Sequence, residues 1–186
     1  ATIGNIDFEM RPENVSYEPA AMIQFITDVF KPFSETNGAQ VTTLELELHS
    51  SSDATPLINI LESFFPNVTS LEVSCYDFVA SGLFDALAKP IEENGERRWL
   101  LPRIEKMAFT AQFSFVPLAK RVLDVVRSRY PLQAFARATE VNVNSPPPTP
   151  LRELHIRKCA VPRSEAEELE NILGDAVKFE GVVFQD

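Results

Sequence analysis

A short apolar pattern recurs along the chain and limits the folds that it can adopt. Residues 151–159 read Leu-Arg-Glu-Leu-His-Ile-Arg-Lys-Cys, with apolar side chains at Leu151, Leu154 and Ile156. The same apolar triplet occurs four more times: Ile3, Ile6, Phe8; Val41, Leu44, Leu46; Val68, Leu71, Val73; and Ile104, Met107, Phe109. Alternation of apolar and polar residues predicts a strand with one buried face. Five such strands in the same phase, each followed by a helical pattern, indicate a repeat protein.

The spacing L-x-x-L-x-L-x-x-C is typical of the strand half of a leucine-rich repeat. We therefore predict an α/β solenoid of five repeats, with parallel strands on its concave face and helices on its convex face. The second apolar positions are Ile6, Leu44, Leu71, Met107 and Leu154, so successive repeats are 38, 27, 36 and 47 residues apart. Only the second spacing is near the usual ~20–29 residues, and the others predict longer helices or insertions.

Apolar residues at helical spacing follow each predicted strand. The stripes are Met22 to Phe33; Leu57, Ile60, Leu61, Phe64; Leu83, Phe84, Leu87, Ile91; Leu118, Val122, Leu123, Val126; and Ala166, Leu169, Ile172, Leu173. Asn94-Gly95 is predicted to end the third of these helices. Ser164 and Glu167 predict a capping box at the start of the last helix, and Gly174 predicts its end.

The whole chain, residues 1–186, is predicted to form a single leucine-rich-repeat domain, because its length suits one core. Residues 131–150 are predicted to be an irregular insertion, since the prolines near its end exclude a central strand. Residues 177–186 are predicted to form a terminal cap, which a solenoid needs at each end. No polar cap precedes Ile3, so we expect either a shortened N terminus or a homodimer formed through this uncapped edge.

Charge and composition restrict the partners and the compartment. The 17 Lys and Arg oppose 27 Asp and Glu, and the net charge of −10 disfavours nucleic acid. No apolar run approaches the ~20 residues of a membrane-spanning helix, so we expect no membrane partner. Cys75 and Cys159 end strands that would lie about 9.6 Å apart, beyond the ~7 Å reach of a disulfide. Free thiols favour the cytoplasm. Sequons at Asn14 and Asn67 leave secretion as an alternative.

Polar residues between and after the apolar positions are predicted to share the open face of the sheet. The acidic members are Asp7, Glu9, Glu45, Glu47 and Glu72, and His155 and Arg157 frame the far end, beside the basic residues Lys106, Arg152 and Lys158. Strands about 4.8 Å apart would crowd five carboxylates together, and another group should relieve their repulsion. Polar residues are also expected on this face if it does no more than face solvent. We predict a non-catalytic scaffold that binds a protein or peptide, preferably a basic one, through the acidic half of this face.

Two other functions fit the same residues. In a metal-dependent phosphodiester hydrolase the carboxylates would hold a divalent cation and His155 would act as the base. A secreted fungal defence or glycan-binding protein would be favoured if Asn14 were glycosylated. The two histidines and two cysteines lack the spacing of a zinc site or a Cys-His nucleophile, and no glycine-rich phosphate loop occurs. We therefore favour binding over catalysis and predict no cofactor.

Four segments resemble the leucine-rich-repeat region of fungal, mushroom-type F-box-like proteins. They are residues 65–73, 101–105, 118–129 and 151–156. The resemblance implies a repeat module that holds a substrate protein, while an N-terminal F-box bundle docks to a ubiquitin-ligase adaptor. The first repeat already starts at residue 3, so the chain reads as the repeat module without an F-box.

Overall fold

A computed structural model describes residues 41–48, 55–75, 81–93, 96–111, 116–129 and 148–186. The strands are β1 (Thr43–Leu48), β2 (Ser70–Cys75), β3 (Ile91–Glu93), β4 (Glu96–Arg98), β5 (Lys106–Ala111), β6 (Glu153–Arg157), β7 (Ala160–Pro162), β8 (Val177–Glu180) and β9 (Val183–Gln185). The helices are α1 (Thr55–Phe64), α2 (Ser81–Ala88), α3 (Val116–Arg129) and α4 (Arg163–Leu173), and a 3₁₀ turn covers Gly174–Ala176. Strands β1, β2, β5, β6 and β8 form, in that order, one five-stranded parallel sheet. The fold is therefore α/β with a parallel sheet, as predicted.

The parallel register places equivalent apolar positions of successive strands side by side. Leu44 pairs with Leu71, and the row continues through Met107 and Leu154 to Val177. The inward side chains of β2, β5 and β6 are almost fully buried: Leu71, Val73, Met107, Phe109, Leu154 and Ile156. The common inward phase predicted for Leu44, Leu71, Met107 and Leu154 on β1, β2, β5 and β6 is confirmed. The predicted strand at residues 3–8 and the helix over 22–33 lie outside the described residues.

The helices cover the buried side of the sheet. Helix α2 packs against α3, and α3 packs against α4. Phe84 of α2 is fully buried and meets Phe109 of β5 edge to face, with ring centroids 5.5 Å apart. Burying one such side chain contributes about 1.5–3 kcal/mol, so the helix-to-sheet contact is a main source of stability. None of the described helices is long and apolar enough to cross a bilayer.

Helix α2 is shorter than predicted, and a hairpin follows it. The helix ends at Ala88, and Ile91 lies in β3, which pairs antiparallel with β4. Pro90 explains the early end, because proline lacks an N–H donor and disfavours helical backbone at the residue before it. Glu93 and Glu96 are register partners, so only Asn94-Gly95 separates the two strands. Asn-Gly between two strands is a strong hairpin signal, and the prediction that it ends a helix was wrong.

The predicted capping box of the last helix is also wrong, although its end is correct. The N-cap of α4 is Pro162, which makes no side-chain cap hydrogen bond, so Ser164 lies inside the first turn. Strand β7 runs directly into the helix, and its pairing with β9 keeps the backbone extended up to Pro162. Gly174 ends the helix with a φ of 58°, and its N–H donates to the carbonyl of Glu170. A positive φ of this kind favours glycine.

The last two pairs of strands repeat one another. Strand β6 continues into β7 and β8 into β9, and the two units align from Leu154 opposite Val177 to Pro162 opposite Gln185. Each unit bends at a residue with left-handed backbone, Lys158 with a φ of 52° and Gly181 with a φ of 62°. Residues 177–185 are therefore a second strand–bend–strand unit that extends the sheet at the end where the sequence predicts a cap.

Only the end of the predicted proline-rich insertion is described. Pro148 is buried, and the N–H of Thr149 donates to the carbonyl of Pro102 over 2.8 Å. This bond holds the chain close to the turn before β5 as it returns towards β6.

Candidate functional site

Polar residues alternate with the buried ones along the sheet, and we call the side that carries them the outward face. Its rows follow from the strand register: Thr43, Ser70, Lys106, Glu153; Glu45, Glu72, Ala108, His155, Lys178; and Glu47, Ser74, Thr110, Arg157, Glu180. Adjacent strands are about 4.8 Å apart, so long charged side chains on this face can contact one another across a strand.

Arg157 on β6 reaches across β5 to Glu72 on β2. Its Nη1 donates to Oε1 of Glu72 over 2.8 Å. The strand between them carries Ala108 in the same row as Glu72, and a methyl side chain leaves room for the guanidinium. The Nε of Arg157 also lies 3.4 Å from Oε2 of Glu180 on β8. One arginine therefore joins carboxylates from β2 and β8 over the middle of the outward face.

Glu153 is the centre of a second group of charges. Its Oε1 accepts hydrogen bonds from Nζ of Lys178 and from Nε2 of His155, each 2.8 Å long. Its Oε2 lies 3.2 Å from Nζ of Lys106. The hydrogen bonds of Lys178, His155 and Lys106 lower the pKa of Glu153 to about 2. This carboxylate is therefore ionised at all ordinary pH values.

The low pKa of Glu153 predicts a specific acid sensitivity. Because the pKa is depressed from 4.5 to about 2 on folding, the network adds stability that is complete above pH 4.5 and lost as the pH falls towards 2. We expect Glu153→Gln to lower the stability at neutral pH and to flatten its decline below pH 4.5. The measurement is urea unfolding over this pH range. Glu167→Gln, on the exposed side of α4, is the control. An equally steep decline in Glu153→Gln and the unmodified chain would contradict this assignment.

His155 is held between the two groups of charges. Its Nε2 contacts Glu153, and its Nδ1 lies 3.5 Å from Nη2 of Arg157. The tautomer with its proton on Nε2 satisfies both contacts, since Nε2 then donates and Nδ1 accepts. Both ring nitrogens are therefore engaged by the protein itself.

The structure brings together three of the predicted site residues, Glu72, His155 and Arg157. Glu45 is exposed on β1, next to Glu72 in the register, and no described side chain pairs with it. Glu47 lies in β1 opposite Ser74, but its side chain is outside the described residues, as are Asp7 and Glu9. The C-terminal strands also carry acidic residues, because Glu153 and Glu180 lie beside the basic side chains there, and Arg157 pairs with Glu72 across the middle of the face.

Two members of the face, Glu153 and Lys178, were missed by sequence reasoning. Glu153 holds the same position as Lys106, one residue before the second apolar residue of its repeat, and this shared position was the available signal. Lys178 lies in the segment predicted as a cap, where Val177 and Phe179 alternate with Lys178 and Glu180. Treating that alternation as another strand would have placed Lys178 in the row of His155.

A further residue that the sequence did not single out is Arg129, at the end of α3. Its side chain is only 1% exposed, and burial lowers the pKa of its guanidinium to about 10. It donates to the carbonyls of Leu100, Leu101 and Leu87 over 2.7, 3.2 and 3.4 Å. Arg129 thus ties the last turn of α2 and the turn before β5 to α3, which is a structural role.

The described residues form no metal site and no ligand-sized pocket besides this open face. Within them, no three His, Cys, Asp or Glu side chains converge on a position that could hold a metal ion. An apolar cavity beside Phe109, Val122 and Cys159 has a volume near 10 Å³, room for about one water molecule. Cys75 and Cys159 are free thiols whose pKa values burial raises to about 12 and about 11, so both stay protonated. The candidate site is the open outward face.

Comparisons with family models, with curated proteins and with solved structures gave no match to this chain.

Proposed function

We propose that the chain is a leucine-rich-repeat module whose outward face holds another protein without catalysis. The repeat assignment is supported by the single inward row that runs from Leu44 through Leu71, Met107 and Leu154 to Val177. Two intervals in this row, 27 residues from Leu44 to Leu71 and 23 from Leu154 to Val177, fall within the usual range of ~20–29 for such repeats. In a solenoid of this kind the strands would form the concave side.

The charge arrangement of the outward face carries the proposal. Glu72, Glu153, His155 and Arg157 are fixed by one another and remain 25–35% exposed. A partner that contacts them meets side chains already held in place, which lowers the entropy cost of binding. Glu45 is the exposed carboxylate beside this network, so a basic segment of the partner is expected to bind at the β1 end. The sequence predicts Asp7, Glu9 and Glu47 for the same acidic surface, and their side chains lie outside the described residues.

The resemblance to mushroom-type F-box-like proteins suggests what such a partner would be. By that resemblance, the repeats would present a substrate protein to a ubiquitin ligase. The two protonated, unpaired thiols are consistent with a reducing compartment such as the cytoplasm.

Affinity capture from a lysate of the source organism, with quantitative mass spectrometry, tests the proposal. The unmodified chain is compared with Glu45→Lys and with Glu167→Lys, a matched reversal on the exposed side of α4. We expect recovery of the specific partner to fall about tenfold or more with Glu45→Lys, since reversing a charge at a complementary interface costs on the order of 1–3 kcal/mol. Recovery with Glu167→Lys should be unchanged. Equal recovery of every captured protein with both variants would refute a role of the outward face.

A further inference from the structure

Strand β8 forms one edge of the parallel sheet, and its open side has no neighbour among the described strands. Lys178 and Glu180 of β8 are exposed, and they alternate with Val177 and Phe179, which face the core. Beyond the bend, Phe184 is 43% exposed and Val183 is 64% exposed. In the preceding strand–bend–strand unit, the equivalent residues Val161 and Ala160 are buried. The second unit thus ends in an exposed apolar surface, whereas the equivalent residues of the first unit are covered.

We propose that a second copy of this chain covers this edge, with the two β8 strands pairing antiparallel about a two-fold axis at Phe179. In this register Lys178 lies opposite Glu180 of the other copy, and Glu180 lies opposite its Lys178. Opposite charges at directly facing positions stabilise a strand pair. A two-fold axis makes the same contact twice, as in most homodimers.

Charge and side-chain direction select this register among the symmetric ones. A shift of one residue would place an outward residue opposite an inward one, so the apolar face would no longer match. Centring the axis on Lys178 would oppose the two lysines, and centring it on Glu180 would oppose the two glutamates. Like charges facing each other destabilise a strand pair. The centre at Phe179 alone preserves the faces and pairs opposite charges.

The apolar residues at the edge favour the same arrangement. Phe179 and Phe184 contact edge to face, with ring centroids 5.5 Å apart. At the two-fold axis Phe179 would meet its counterpart at a directly facing position, about 4.5–5.5 Å between Cα atoms. Each Phe179 carries its own Phe184, so the pairing gathers four rings at the centre of the interface.

One of the two charged residues of this edge is held in place within each copy. Lys178 donates to Oε1 of Glu153 over 2.8 Å, so its side chain is restrained before a second copy arrives and the cost of ordering it is lower. Glu180 lies 3.4 Å from Nε of Arg157 and is 77% exposed, so its carboxylate is accessible to the second copy.

Sedimentation velocity with two single charge reversals tests the proposed dimer. Lys178→Glu makes the edge wholly acidic, and Glu180→Lys makes it wholly basic. We expect the unmodified chain to dimerise and each reversal alone to weaken dimerisation by about tenfold or more, because two attractive pairs become repulsive. When the two variants are mixed, both cross-strand pairs are again opposite in charge, and a heterodimer should form. Glu170→Lys, on an exposed part of α4, should dimerise like the unmodified chain.

The mixture separates pairing at this edge from damage to the fold. Each reversal also breaks a contact inside its own copy, with Glu153 or Arg157, and mixing cannot restore those contacts. Recovery of a dimer in the mixture therefore requires the proposed strand pairing. A monomeric unmodified chain, or a mixture that remains monomeric while both variants are folded by circular dichroism, would overturn the proposal. A dimer that neither reversal weakens would place the interface elsewhere.

Discussion

Replacing Phe84 by Ala is expected to lower the free energy of unfolding by about 3–5 kcal/mol. Phe84 is fully buried, and its ring packs edge to face on Phe109 of the central strand β5. The substitution removes the transfer energy of the ring and leaves a cavity between α2 and the sheet. It also removes the aromatic pair, which is worth about 0.5–1.5 kcal/mol beyond its buried area.

Urea unfolding followed by circular dichroism measures this effect. Phe84→Leu is the control, because it keeps an apolar side chain of similar volume and is expected to cost less than about 1.5 kcal/mol. A loss with Ala no larger than the loss with Leu would show that the ring does not fill the space between α2 and β5.

Replacing Arg129 by Met is expected to lower the free energy of unfolding by about 2–4 kcal/mol. This loss is expected even though the substitution removes a charge from a buried position, which by itself would be favourable. Methionine fills much of the same space but leaves the carbonyls of Leu87, Leu100 and Leu101 without their donor. A buried polar group without a partner costs about 1–3 kcal/mol, and water can reach some of the three after the substitution. We expect the loss to exceed that of any other arginine substitution in α3.

Arg127→Met in the same helix is the matched control. Arg127 is 47% exposed, and its guanidinium binds both oxygens of Glu168. An exposed pair of this kind contributes at most about 1 kcal/mol. Arg129→Lys gives a second comparison, since an ammonium cannot match the fork that reaches three carbonyls. Equal losses for Arg127→Met and Arg129→Met would contradict the structural role of Arg129.

The repeated strand pattern was sufficient to predict four of the five strands of the parallel sheet, whereas β8 had been predicted as part of a cap. Alternation at Leu44, Leu71, Met107 and Leu154 fixes both the buried side and the shared phase of the strands, because a shift of one residue would turn the apolar side chains towards solvent. The ends of helices were harder to predict. Asn94-Gly95 suits either a helix end or a hairpin, and Pro90, which precedes β3, was the residue that decided between them.

The site was predictable as a set of positions and unpredictable as a set of contacts. The row shared by Glu72 and His155 follows from the repeat, whereas the bond from Arg157 to Glu72 depends on a side chain crossing a whole strand. A pattern of apolar residues does not show how far an arginine side chain reaches. Nor does it show the space that Ala108 leaves on the outward face. Arg129 was missed for a related reason, since its partners are main-chain carbonyls that carry no sequence signal.

The bond over Ala108 constrains how this chain can change. Glu72 and Arg157 are 85 residues apart in the chain. Ala108, which lies between them in space, belongs to a third strand, β5. A larger side chain at position 108 would separate the pair, even though the position is half-exposed and tolerant by every local criterion. Homologous chains with a larger residue at position 108 should therefore lack Glu72, Arg157 or both. The three positions 72, 108 and 157 would then vary together.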